Sequence, residues 1–94
     1  MGQDNYGQLS STRITTATTT TVKSGRALLL NVCVCGGTMG DVTIYDALTA
    51  TGTPKALLEG ANMSVGQNFN IIGAYYTGIT VVTAAATDIV VSNK

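Results

Sequence analysis

From Thr12 to Ser92 the chain repeats one pattern, a short run of valine, isoleucine, leucine or threonine followed by a glycine-containing turn, about every 8 to 15 residues. This repetition is the strongest constraint on its fold. Parallel strands need crossover connections of a dozen or more residues, usually helical, and no interval provides one. The pattern therefore predicts an all-β chain, a compact antiparallel β-sandwich or jelly-roll-like barrel of seven to eight short strands. Only the alanine- and threonine-rich runs 47–53 and 83–87 would permit a helix, which keeps helix under about a fifth of the chain. With 94 residues there is material for one hydrophobic core.

Residues 1–11, polar and without a hydrophobic period, read as an extended N-terminal arm, and residues 12–94 as a single sandwich domain. Within 15–21 stand six threonines in seven positions, which predicts that residues 12–23 form a first strand at a sheet edge, where threonine keeps β propensity and solubility together. Residues 26–35 form the longest apolar strand, with Leu28, Leu30, Val32 and Val34 on one face and Leu29, Asn31, Cys33 and Cys35 on the other. Both faces are expected to be buried, so this strand is central. "DVTIYD" puts Val42 and Ile44 on one face. "KALLEG" is a short strand or one helical turn, "QNFNII" carries Phe69 and Ile71 inward, "GAYYTG" connects, and "ITVVT" and "DIVVS" complete the sheets.

Composition excludes several functions. Charged residues make up 11% of the chain, well below the roughly 25% of average soluble proteins, and five basic and five acidic residues cancel. Nothing here attracts a phosphate backbone or an anionic lipid surface, and so few charges favour association between copies. No apolar run approaches the roughly 18 residues of a membrane span. "MGQDNYGQLS" lacks the basic head and apolar segment of a secretory signal, and Tyr6 stands where a myristoylation signal wants Ser or Thr.

The catalytic classes fare no better. The chain has no histidine, which removes the commonest general base and the usual triad. Asp41, Asp46, Glu59 and Asp88 flank predicted strands, where such side chains accept hydrogen bonds from nearby backbone N–H groups; Asp4 lies in the arm. Cys33 and Cys35 lack the further ligands of a zinc site. At i and i+2 in one strand their Cα atoms stand roughly 6.5 Å apart, at the limit for a disulfide. They read as small buried hydrophobes. "CGGTMGD" opens a strand and so is no phosphate loop, and the "NMS" sequon matters only in a secreted protein. No catalytic residue, metal site, cofactor or small-molecule substrate is expected. Tyr75 or Tyr76 could stack on sugar; as neighbours in a strand they face opposite ways, so only one is available.

The order "TTTTVKSGRALLLNVCV", "GDVTIYDALTATGT", "TGITVVTAAATDIVVS" resembles small β-rich virion proteins of tailed bacteriophages over residues 15–92. Those proteins show a T-V-K-x-G turn before a long apolar strand, a V-T-I-Y-D segment before a G-T turn, and a T-G-I-x-V strand leading to a D-I-x-V end. "CVC" departs from their plainer aliphatics. The resemblance implies a capsid decoration or cement protein, made in the host bacterial cytoplasm and acting as a homotrimer on the major capsid protein, or else a minor tail, fibre or baseplate component. A carbohydrate-binding module is the alternative from another class. Expected partner contacts are Gln3, Asp4, Asn5, Tyr6 and Leu9 of the arm, Arg13 and Ile14 where the first strand begins, and Tyr75 and Tyr76.

Overall fold

The computed structural model describes residues 9–94, which form two antiparallel sheets packed face to face. In chain order the strands are β1 (Ser10–Ile14), β2 (Thr19–Ser24), β3 (Ala27–Gly37), β4 (Val42–Asp46), β5 (Ala56–Leu58), β6 (Asn68–Phe69), β7 (Gly73–Tyr75), β8 (Gly78–Thr83) and β9 (Thr87–Asn93). A single 3-10 turn, Gly60–Asn62, is the one helical element among the described residues. One sheet has the order β1-β9-β3-β6, with β7 also paired to β3; the other is β2-β8-β4-β5.

The pairings β1 with β9, β2 with β8, β3 with β6 and β7, and β4 with β5 are nested about the loop 47–55. The chain is thus one long hairpin, rolled so that β9 also meets β3 and β8 also meets β4. That is the connectivity of a jelly roll. The two sheets cover one another's apolar faces and leave the outermost strands as edges.

The core follows from period 2. Along β9, Thr87, Ile89, Val91 and Asn93 are buried and the residues between them are not; along β4, Val42 and Ile44 face inward as the sequence predicts. Leu29, Val32, Val34, Ile79 and Val81 complete a center that is mainly valine and isoleucine, all fully excluded from solvent. Burial of each such side chain contributes about 1.5–3 kcal/mol.

Three expectations are corrected. The threonine-rich strand of residues 12–23 is two strands in different sheets, joined by residues 15–18; Ser10 and Ser11, assigned to the arm, pair with Asn93 and Ser92. The faces of β3 are not those of a uniform strand. Its register against β9 slips between Leu29 and Asn31 and again between Val34 and Gly36, each slip an extra residue that reverses the alternation. Leu29, Val32 and Val34 therefore face the core, while Leu28 and Leu30 are only half-buried. Third, "GAYYTG" is more than a connection, since Gly73–Tyr75 pairs with Ala27–Leu29.

Two glycines allow the end of the sandwich away from the arm to close. A β-carbon on Gly60 would lie 2.6 Å from the Gly40 backbone, and one on Gly37, at φ +77°, would collide with the Ala86 carbonyl. Any side chain there would push segments apart.

One inward position breaks the apolar pattern. Asn93 is 1% exposed, and its side-chain oxygen and nitrogen have no hydrogen-bond partner among the described residues. A buried unpaired polar group costs about 1–3 kcal/mol. Asn93→Leu, close in shape, should raise Tm by about 4–8 °C for each kcal/mol recovered. Thermal melts check this; an unchanged or lower Tm would show that the amide is paired in solution.

Candidate interaction site

The roll dictates which backbone is left unpaired. β1 and β2 are the outermost strands of their sheets on one flank, and the four residues 15–18 carry the chain between them. Thr83, 3% exposed, holds this link: its hydroxyl donates to Thr16 O at 2.6 Å and accepts from Thr18 N at 3.1 Å. Thr19 and Thr21 are exposed, opposite Val82 and Thr80. The flank is thus a pair of serine- and threonine-bearing edges, with Arg13 on one and Lys23 beside a register slip on the other, whose outward backbone groups have no strand partner among the described residues, a surface to which another extended strand can add.

The opposite flank is closed. β5, β6 and β7 are only three, two and three residues long. Leu28 exchanges backbone bonds with Lys94, so its partner Ala74 turns its own backbone groups to the free edge. There the Lys55 amine donates to Ala74 O. A lysine at an edge strand discourages a further strand from pairing.

The sequence-predicted contacts scatter over these features. Leu9 is 63% exposed at the start of β1. Arg13 projects from the outer face and forms a two-pronged pair with Asp88 on β9, its Nε at 2.9 Å. This holds Asp88 below its ordinary pKa and raises that of Arg13. Ile14, 4% exposed, belongs to the core and is not a contact. Tyr75 is likewise buried, whereas Tyr76 is 65% exposed, so the pair does split between faces. Gln3, Asp4, Asn5 and Tyr6 lie outside the described residues.

The structure also assembles a group that no sequence pattern signals. At the end where β1 begins lies a cleft of about 410 Å³ lined by Arg26, Leu28, Ala74, Tyr75, Tyr76 and Lys94. The Arg26 guanidinium sits 5.7 Å from the Tyr76 ring centre, and the Lys55 amine 4.7 Å from that of Tyr75. These distances are in the range for cation–π attraction. Residues 26, 76 and 94 are far apart in the chain; the register Ala27↔Tyr75 and the backbone bonds between Leu28 and Lys94 bring them together.

The carboxylates serve the backbone. Asp46 accepts N–H bonds from Thr77 at 2.8 Å, Tyr76 at 3.1 Å and Gly78 at 3.3 Å, fixing the turn that presents Tyr76. Asp41 accepts from Gly60 N at 2.9 Å. Among the described residues no three Cys, Asp or Glu side chains gather as a metal site. Cys33 and Cys35 are both free, but not buried as expected: Cys33 is half-buried and Cys35 exposed on the outer face of β3, where the two register slips leave them. Desolvation by its surroundings, then the neighbouring Cys33, push the Cys35 thiol above its ordinary pKa, which keeps it protonated and slow as a nucleophile.

No protein-family model matches the chain, and no curated protein matches it. Its fold is similar to that of a solved structure described as "Bacillus endospore appendages form a novel family of disulfide-linked pili". The TM-score is 0.57 at 16% identity, covering 90% of this chain and 83% of that one. At such identity the likeness is one of fold.

The Asp46 turn yields a test. Its bonds from Thr77, then Tyr76, then Gly78 hold its pKa below the ordinary value, with help from Lys55. Stability from this charge is complete above the unfolded pKa of about 3.9 and is lost as pH falls through the lowered folded value. Asp46→Ala should lower Tm at pH 7, and Asp46→Asn should flatten the fall of Tm between about pH 5 and pH 2. An Asn variant that tracks wild type across that window would contradict the assignment.

Proposed function

We propose that the protein is a non-enzymatic structural subunit working in many copies, and specifically a capsid decoration protein that binds the major capsid protein of a tailed bacteriophage. The observation that carries this reading is the β1/β2 flank of a neutral jelly roll, where two edge strands of five and six residues have no strand partner among the described residues, while the opposite flank offers only strands of two or three residues with the Lys55 amine on Ala74 O. A subunit working in many copies can join its neighbours through such edges. The sequence resemblance over residues 15–92 supplies the capsid surface as the place and the homotrimer as the form. Stabilisation of the shell would come from numerous modest interfaces engaged together, each raising the effective concentration of the next.

A second reading has its own support. The jelly roll resembles a protein from disulfide-linked pili, and an edge offered repeatedly from copy to copy builds a filament as readily as it coats a shell. Exposed Cys35 would then stand on the outer face of such a subunit. Location distinguishes the two: copy number and position in a purified particle, read by electron cryomicroscopy, place the chain on a shell, on a tail or in a fibre.

The arm is tested separately. Deletion must stop at residue 8, because β1 begins at Ser10. A chain lacking residues 1–8 should keep the wild-type Tm and lose binding to purified phage shells by tenfold or more; binding at the wild-type level would remove the arm from the interface.

A further inference from the structure

The exposed aromatic of the sandwich, Tyr76, stands on a turn that is tied down from two sides. The Asp46 carboxylate accepts the N–H groups of Tyr76, Thr77 and Gly78, and Gly25 N donates to Thr77 O at 2.8 Å. Tyr76 is nonetheless 65% exposed, so the backbone beneath the ring is fixed while the ring itself stays in water. A group positioned in advance loses little freedom when a ligand covers it.

The ring lines the cleft together with Ala27, Leu28 and Ala74, which give it an apolar floor. Its volume, about 410 Å³, is within the range of small-molecule sites, roughly 300–1,000 Å³. The rim is polar. Arg26 lies 5.7 Å from the Tyr76 ring centre, and the single ion pair among the described residues is Arg13–Asp88, so the N–H fork of Arg26 is open to a neutral acceptor. Lys94 brings an amine, and its main-chain carboxylate offsets that charge, so the cleft does not select an anion.

These features narrow the occupant. A wholly apolar ligand would cover the guanidinium without pairing it. An added peptide strand meets the Lys55 amine, which already holds Ala74 O. A molecule with a hydrocarbon face and a rim of hydroxyls fits both halves of the cleft, and a pyranose sugar is that molecule. Its C–H face packs on an aromatic ring, and its hydroxyl oxygens accept from a guanidinium.

We propose that the cleft between Arg26, Ala74 and Tyr76 is a saccharide subsite, with a sugar ring packed on Tyr76 and its hydroxyls hydrogen-bonded to the Arg26 guanidinium. Of the two adjacent tyrosines only Tyr76 serves, since Tyr75 is 3% exposed. The inference goes beyond the structural-subunit reading and does not need it. Strands β3 and β9 lie between β7 and the β1 edge, so copies joined at the open flank would still present the cleft. One such site binds weakly, but many copies on one particle engage a glycan-bearing surface together.

The test is an amide NMR titration of the full-length chain with the methyl glycosides of glucose, galactose, mannose and N-acetylglucosamine, with glycerol and adenosine as controls. At least one glycoside should move the amides of residues 26–28 and 74–77 saturably, with a Kd on the order of 1 mM. Arg26 and Tyr76 are exposed, so variants at either should keep the wild-type spectrum elsewhere. Tyr76→Ala and Arg26→Ala should each weaken that binding by about tenfold or more, while Tyr76→Phe, which keeps the ring, should bind within about threefold of wild type. No shift with any glycoside up to about 50 mM, or equal shifts with glycerol, would overturn the sugar assignment. So would unchanged binding by Tyr76→Ala. Shifts with adenosine alone would give the cleft to a flat aromatic ligand and overturn it too. None of these results touches the structural-subunit reading, which the shell-binding assay tests on its own.

Discussion

Strand β9 lies between β1 and β3, and this double pairing is what turns a long hairpin into a closed roll. Its partners are distant in sequence, Ile14 with Ile89 on one side and Val34 with Ile89 on the other. Such contacts reward the chain only after most of it has been ordered. Once made, they fix everything else. Alternate residues of β9 enter the core, β8 is drawn against β4, and the outermost strands of the nest, β1 and β2, end up side by side on one flank. The short central strands β5, β6 and β7 fall on the other. The open and closed flanks are therefore consequences of one topology.

Much of this was legible in the sequence, for a local reason. Alternation over β4, and turns at glycine, depend on neighbouring residues, so the all-β class and the inward pair Val42 and Ile44 could be read directly. The faces of β3 could not, because Leu30 and Cys35 become extra residues only in relation to β9. Threonine suits an edge strand and an extended link equally, so 12–23 looked continuous where the chain in fact changes sheets. Asp46 was recognisable as a turn acceptor, yet the N–H groups it accepts from are some thirty residues away. The cleft was invisible: Arg26, Tyr76 and Lys94 share no spacing, and strand pairing makes them neighbours.

The chemistry of the surface agrees with the topology. Asp41 and Asp46 accept backbone N–H bonds from distant turns, and Asp88 forms an ion pair with Arg13. The thiol of Cys35 is kept protonated. Among the described residues the outward backbone of β1 and β2 has no strand partner. A threonine edge offers main-chain hydrogen bonds without the stickiness of exposed valine or isoleucine.

Amide hydrogen exchange, compared between the free chain and the chain mixed with a purified phage particle, tests the proposed role of the open flank most directly. If the β1/β2 flank is where neighbours add, amides in residues 10–14 and 19–24 should exchange markedly more slowly in the particle, while those of β8 and β9 hardly change. Equal exchange along β1 and β2 in both states, with new protection confined to the outer sheet faces, would show that the open edges are not the joining surface.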